Sequence, residues 1–97
     1  MEVIRIDIIQ GQIIKTFEDD TELRLDIVDL NEAQISLFMQ CKAIVDAMHS
    51  EYSFISLNNI EPVDRLVFFF EGDIWEEYLI NEMSVEDQDL FAQFINI

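Results

Sequence analysis

The apolar residues of this chain change their period at Leu30, and that change limits what it can fold into more than any motif does. Ile4, Ile6 and Ile8 alternate with Arg5 and Asp7, the pattern of a strand with one buried face. A second apolar run spans Gln12 to Phe17. After the cluster Glu18-Asp19-Asp20, Leu23, Leu25 and Ile27 alternate with Arg24 and Asp26. Three strands in a meander are predicted, with the acidic cluster as a turn. From Leu30 onward, Ala33, Leu37, Cys41, Ile44 and Met48, with Phe38 and Val45 beside them, recur every three or four residues. That is one stripe of an amphipathic helix reaching about Ser50. Asn31 with Gln34 three residues on fits a capping box, and Leu30 against Ile35 fits a hydrophobic staple. Cys41 falls on the stripe and reads as a core residue.

Beyond the helix, Tyr52 to Leu57 reads as a short strand and Asn58-Asn59-Ile60-Glu61-Pro62 as a loop. Leu66 to Phe70 and Ile74 to Ile80 form a hairpin in which Gly72-Asp73 suits a two-residue turn. That turn pairs Phe70 with Trp75 and groups Phe69, Ile74, Tyr78 and Ile80 on one face, bordered by Glu71 and Glu76. Such a face is either covered by a helix or is an exposed aromatic patch with an acidic rim. Ser84 with Asp87 caps a last helix whose stripe is Leu90, Phe91, Phe94 and Ile95. No internal repeat, low-complexity segment or domain boundary is evident. The reading is one α+β domain over 1–97, in the order βββ-α-β(β)β-α. An antiparallel sheet of five to six strands carries two helices on one side.

Charge decides which functions such a domain can serve. Five Lys and Arg stand against 21 Asp and Glu, a net charge of −16, yet 51% of the chain is hydrophobic. So apolar a chain can fold, unlike a disordered acidic tail. So negative a chain is unsuited to binding nucleic acid or anionic lipid directly, because that affinity comes from cations displacing counterions. A folded surface of roughly 5,800 Å² carries about one net charge per ~360 Å². Duplex DNA carries about one per ~110 Å². Only clustering would imitate a phosphate backbone. The cations are Arg5, Lys15, Arg24, Lys42 and Arg65, so Leu66 to Ile97 has none. That stretch holds Glu71, Asp73, Glu76, Glu77, Glu82, Glu86, Asp87 and Asp89. With Tyr78, these are the candidate partner-binding residues, and Glu18, Asp19, Asp20 and Glu22 form a secondary acidic cluster.

No catalytic chemistry is visible. His49 lies eight residues beyond Cys41 on the same helix, hence ~12 Å away along the axis, too far for a nucleophilic pair. The one His and one Cys cannot assemble a zinc site. Asp20, Glu22, Arg24 and Asp26 break the calcium-loop pattern with an arginine and lack its central glycine. Gly11 and Gly72 make no phosphate loop. A non-enzyme without metal or cofactor is expected. A lone cysteine cannot form an internal disulfide, the N-terminus lacks signal-peptide character, and the longest strictly apolar run is Leu66 to Phe70. A cytoplasmic protein is expected, in the host cytoplasm if phage-encoded.

These observations favour a small acidic inhibitor that occludes the basic nucleic-acid-binding surface of a target enzyme or effector, carboxylates replacing phosphates. In composition it is similar to phage-encoded DNA mimics that block restriction enzymes or CRISPR effectors. The alternatives are an immunity protein neutralising a basic nuclease toxin, and a structural or adaptor subunit, homodimeric or otherwise, whose acidity only solubilises. Reversing Glu76, Glu77, Glu86 and Asp87 to lysine is expected to abolish partner binding with little loss of folding.

Overall fold

The alternating segments become β1 (Val3–Ile9), β2 (Gln12–Phe17) and β3 (Glu22–Asp26), and the 3.6-period stripe becomes α1 (Glu32–Met48). They are followed by β4 (Phe54–Ile60), β5 (Val63–Phe70), β6 (Ile74–Leu79) and α2 (Val85–Ile95). The computed structural model describes residues 2–60 and 63–97. The fold is α+β, a six-stranded antiparallel sheet in the order β3-β2-β1-β4-β5-β6. The segment expected as a loop from Asn58 is strand as far as Ile60, and β5 begins at Val63; Glu61-Pro62 lies outside the described residues.

Local chemistry sets the boundaries. Gln10 and Gly11 both have positive φ, 49° and 77°, as a two-residue hairpin loop matched to strand twist requires. At the start of α1, the Asn31 side chain accepts from the Gln34 N–H at 2.9 Å, and Gln34 Oε1 accepts from the Asn31 N–H at 3.0 Å. Ser84 Oγ accepts from the Asp87 N–H at 3.2 Å to cap α2. Each arrangement satisfies donors that a helix start otherwise leaves open.

The β5–β6 hairpin departs from the two-residue expectation. Its loop is Glu71-Gly72-Asp73, with φ of 79° at Gly72 and 59° at Asp73. Phe70 therefore pairs with Ile74, Phe69 with Trp75, Phe68 with Glu76 and Leu66 with Tyr78. A one-residue shift exchanges every side chain of one strand between faces. Tyr78 thus joins the helix-covered face with Phe68, while Trp75 joins Phe69 on the open one.

The topology also reveals a repeat that the sequence conceals. Each half is a three-stranded meander followed by one 3₁₀ turn, a capped start and a helix, and the two halves meet at β1 and β4. The turns Ile27–Asp29 and Ile80–Glu82 lie 53 positions apart (80 − 27), as do the caps Asn31 and Ser84 (84 − 31). In the same offset, Leu37-Phe38 corresponds to Leu90-Phe91 and Gln40 to Gln93. The match is hard to see because α1 has 17 residues and α2 only 11.

One face of the sheet and both helices enclose the core, which includes Ile6, Ile13, Leu57, Leu66 and Phe68 with Phe38, Val45, Phe91 and Phe94. Lys15 interrupts it. It pairs with Ile6 and Leu23 on the helix side and is 8% exposed, where the second half places Phe68 (68 − 15 = 53). The alkyl stem is buried and the ammonium partly desolvated, so burial alone lowers its pKa. Lys15→Met is expected to stabilise the fold by roughly 0.5–2 kcal/mol in urea denaturation at neutral pH. The folded protein holds this proton less tightly than the unfolded chain does. Wild type should therefore gain on the variant as pH rises through the folded pKa toward the unfolded value near 10.5. A stability difference independent of pH over that range would contradict burial of the charge.

Candidate functional site

Strand β6 is an outer edge of the sheet, and the carboxylates of the last third follow it from end to end. Glu71 and Asp73 occupy the turn before it, Glu76 and Glu77 lie within it, and Glu82 sits in the 3₁₀ turn after it. Glu86 and Asp87 occupy the first turn of α2, with Asp89 beyond. Six strand residues span about 20 Å, most of one side of a molecule measuring 31 × 29 × 27 Å. The first turn of α2 is also where helix polarity tolerates negative charge best. The edge strand, the turns at its two ends and the start of α2 thus hold all eight carboxylates of the last third.

The secondary cluster is elsewhere. Glu18, Asp19 and Asp20 form the β2–β3 turn and Glu22 opens β3, the opposite edge strand. Five inter-strand spacings separate the edges, about 24 Å, so one flat contact does not collect both groups. Asp19 is engaged locally: Thr21 donates to Oδ1 from its hydroxyl at 2.6 Å and its N–H at 3.1 Å, which lowers the carboxyl pKa.

Three of the five cations pair with acids outside the last third. Arg5 pairs with Asp7 at 3.1 Å, Arg24 with Glu22 at 3.4 Å and Lys42 with Asp46 at 3.0 Å. Arg5, Arg24 and Arg65 all lie on the open face, in register with Thr16, Ile14 and Leu79. Among the described residues, the ion pairs of the last third reduce to His49 with Glu76.

That contact belongs to a cluster the sequence did not disclose. His49, the C-terminal cap of α1, places Nε2 2.9 Å from Glu76 Oε2 and 2.8 Å from the Tyr78 hydroxyl. Tyr78 donates to the same Glu76 oxygen at 2.7 Å, and that bond is the main cause of its raised pKa. Phe68 and Phe70 meet the imidazole edge-on, with centroids 4.6 and 5.2 Å away. The cluster fastens the end of α1 to the edge strand. Only the observed register, which turns the face shared by Glu76 and Tyr78 toward the helices, brings the three groups together.

The candidate residues therefore divide. Glu71, Asp73, Glu77, Glu82, Glu86 and Asp89 are exposed. Glu76 is exposed but bound by His49 and Tyr78. Asp87 is half-buried beside Met48 and Met83, and Tyr78 is half-buried on the helix side. The exposed apolar groups at this edge are Ile74 and Trp75, each 59% exposed. The aromatic patch expected around Tyr78 is instead Phe69, stacked on Phe54 at 4.5 Å, with Trp75 paired beside it on the open face.

Among the described residues, no group of three or more His, Cys, Asp or Glu is placed to hold a metal ion. No helix among them is long and apolar enough to cross a membrane. Burial, together with the charge of Asp87, pushes the Cys41 thiol up to about 12, and its Sγ lies 3.5 Å from the Leu90 carbonyl. A thiol so held is a poor nucleophile. No protein-family model, curated protein or solved structure matches this chain.

Proposed function

We propose that this protein is an inhibitor that occupies a basic, nucleic-acid-binding surface of another protein, presenting the β6 edge in place of a phosphate backbone. The observation that carries this reading is the run of eight carboxylates from Glu71 to Asp89, without a lysine or arginine among them, held by the edge strand, its turns and the start of α2 beside exposed Ile74 and Trp75. Uncompensated charge along one edge opposes folding. It also steers association with a cationic groove, while desolvated aromatic and aliphatic anchors hold the complex. Glutamates at an open edge also discourage strand pairing between copies, which leaves the edge available to a partner of opposite charge.

The test is competition. Proteins retained from the native cell or its host by the immobilised protein at low salt should be released by duplex DNA. They should release in the order of their own affinity for DNA. A retained partner that binds DNA and this protein together, without interference, would exclude occlusion.

A further inference from the structure

We propose that a cavity beneath α1 is a binding site for a small neutral apolar molecule, an aliphatic alcohol or aromatic of medium size. The cavity has a volume of about 340 Å³ and lies between α1, α2 and the β1 and β4 strands. Its inner wall is formed by Phe38, Cys41, Val45, Leu57, Phe91 and Phe94, all at most 8% exposed. Well-packed cores leave few voids larger than a water molecule. A mainly apolar pocket of a few hundred Å³ with several polar groups at its rim is the ordinary form of a small-molecule site.

The repeat explains why the space exists. Cys41 in α1 corresponds to Phe94 in α2 (94 − 41 = 53), and both line the cavity. Where the second half places a phenyl ring, the first places a thiol, and the missing volume stays open. The rim decides the ligand's charge. Lys42 Nζ is the cation there, and it is already held by both Asp46 carboxylate oxygens at 3.0 and 3.2 Å and by the Tyr52 hydroxyl at 3.3 Å. Tyr52 in turn donates to Asp46 at 2.7 Å. No free positive charge remains at the rim for an anion, the wall offers no carboxylate for a cation, and the net charge of −16 repels anions generally. Gln10, Tyr52 and Ser53 at the opening are suited to a single hydroxyl or amide on an otherwise apolar molecule.

The site is tested with the fluorescent probe N-phenylnaphthylamine and with decanol. Wild type should give saturable probe fluorescence that decanol displaces, and decanol should raise its melting temperature. Cys41→Leu and Cys41→Phe fill the cavity from the position the repeat identifies. Each should weaken probe binding at least about tenfold and abolish the decanol-induced shift while still unfolding cooperatively. Decanoate at neutral pH should bind at least about tenfold more weakly than decanol. Absence of saturable probe binding and of any decanol shift in wild type would overturn the site. Undiminished binding in folded Cys41→Leu would overturn its location, and decanoate binding as tightly as decanol would overturn the assignment of a neutral ligand.

Discussion

Phe68→Ala is expected to destabilise the domain by about 3–5 kcal/mol, the usual cost of removing a buried phenyl ring. A chain of this length has a total stability of roughly 5–15 kcal/mol, so the variant should be marginally folded. Phe68 is fully buried on the helix side of β5. Its ring meets His49, Tyr52 and Tyr78 edge-on, with centroids at 4.6, 5.5 and 5.6 Å. It therefore supports the core and also the cluster joining α1 to the edge strand. Phe69, its neighbour in sequence, is half-buried on the open face against Phe54. Phe69→Ala should cost less than half as much. Urea denaturation of the two variants checks the assigned register: comparable losses would contradict the placement of Phe68 inward and Phe69 outward.

These neighbouring phenylalanines also show how far the sequence could be read. Periodicity located β1, β3 and α1, because alternation over Ile4–Ile8 and Leu23–Ile27 and a stripe through Phe38, Cys41 and Val45 each admit one regular structure, whereas β4, β5 and β6 were legible only as apolar runs bounded by turn residues. Capping chemistry added the start of α1, since Asn31 and Gln34 are reciprocal partners only in that geometry. The β5–β6 register could not be obtained the same way. Leu66 to Phe70 is apolar at every position, so it carries no period-two signal. Its partner strand offers apolar and glutamate side chains to both faces. Turn chemistry was then the remaining guide, and Glu71-Gly72-Asp73 accommodates loops of two or three residues. The three-residue loop creates the His49–Glu76–Tyr78 cluster, which was hidden for that reason. The repeat was concealed differently. It is carried by topology and by the 53-residue spacing of caps, whereas Lys15 against Phe68 and Cys41 against Phe94 show that equivalent positions retain little common chemistry.

Reversing Glu77 and Glu82 to lysine should weaken partner binding at least about tenfold at low salt and flatten its salt dependence, because steering by a local field can change association rates 10- to 10³-fold. Both residues belong to the β6 edge and its following turn and, among the described residues, form no bond comparable with that of Glu76 to His49 and Tyr78, so they replace the reversals of Glu76 and Asp87 that the sequence suggested. The decisive control is on the opposite side. Asp29 is the counterpart of Glu82 in the first half (82 − 29 = 53), and Glu18 lies in the β2–β3 turn; both are exposed. Reversing Glu18 and Asp29 changes the net charge from −16 to −12 (−16 + 4), the same change as reversing Glu77 and Glu82. If the β6 edge is the contact, the first pair should sharply reduce the association rate and the second should alter it little. Equal losses would mean that total charge, and no particular edge, attracts the partner. Both double variants should fold at least as well as wild type, since each relieves repulsion among the remaining carboxylates.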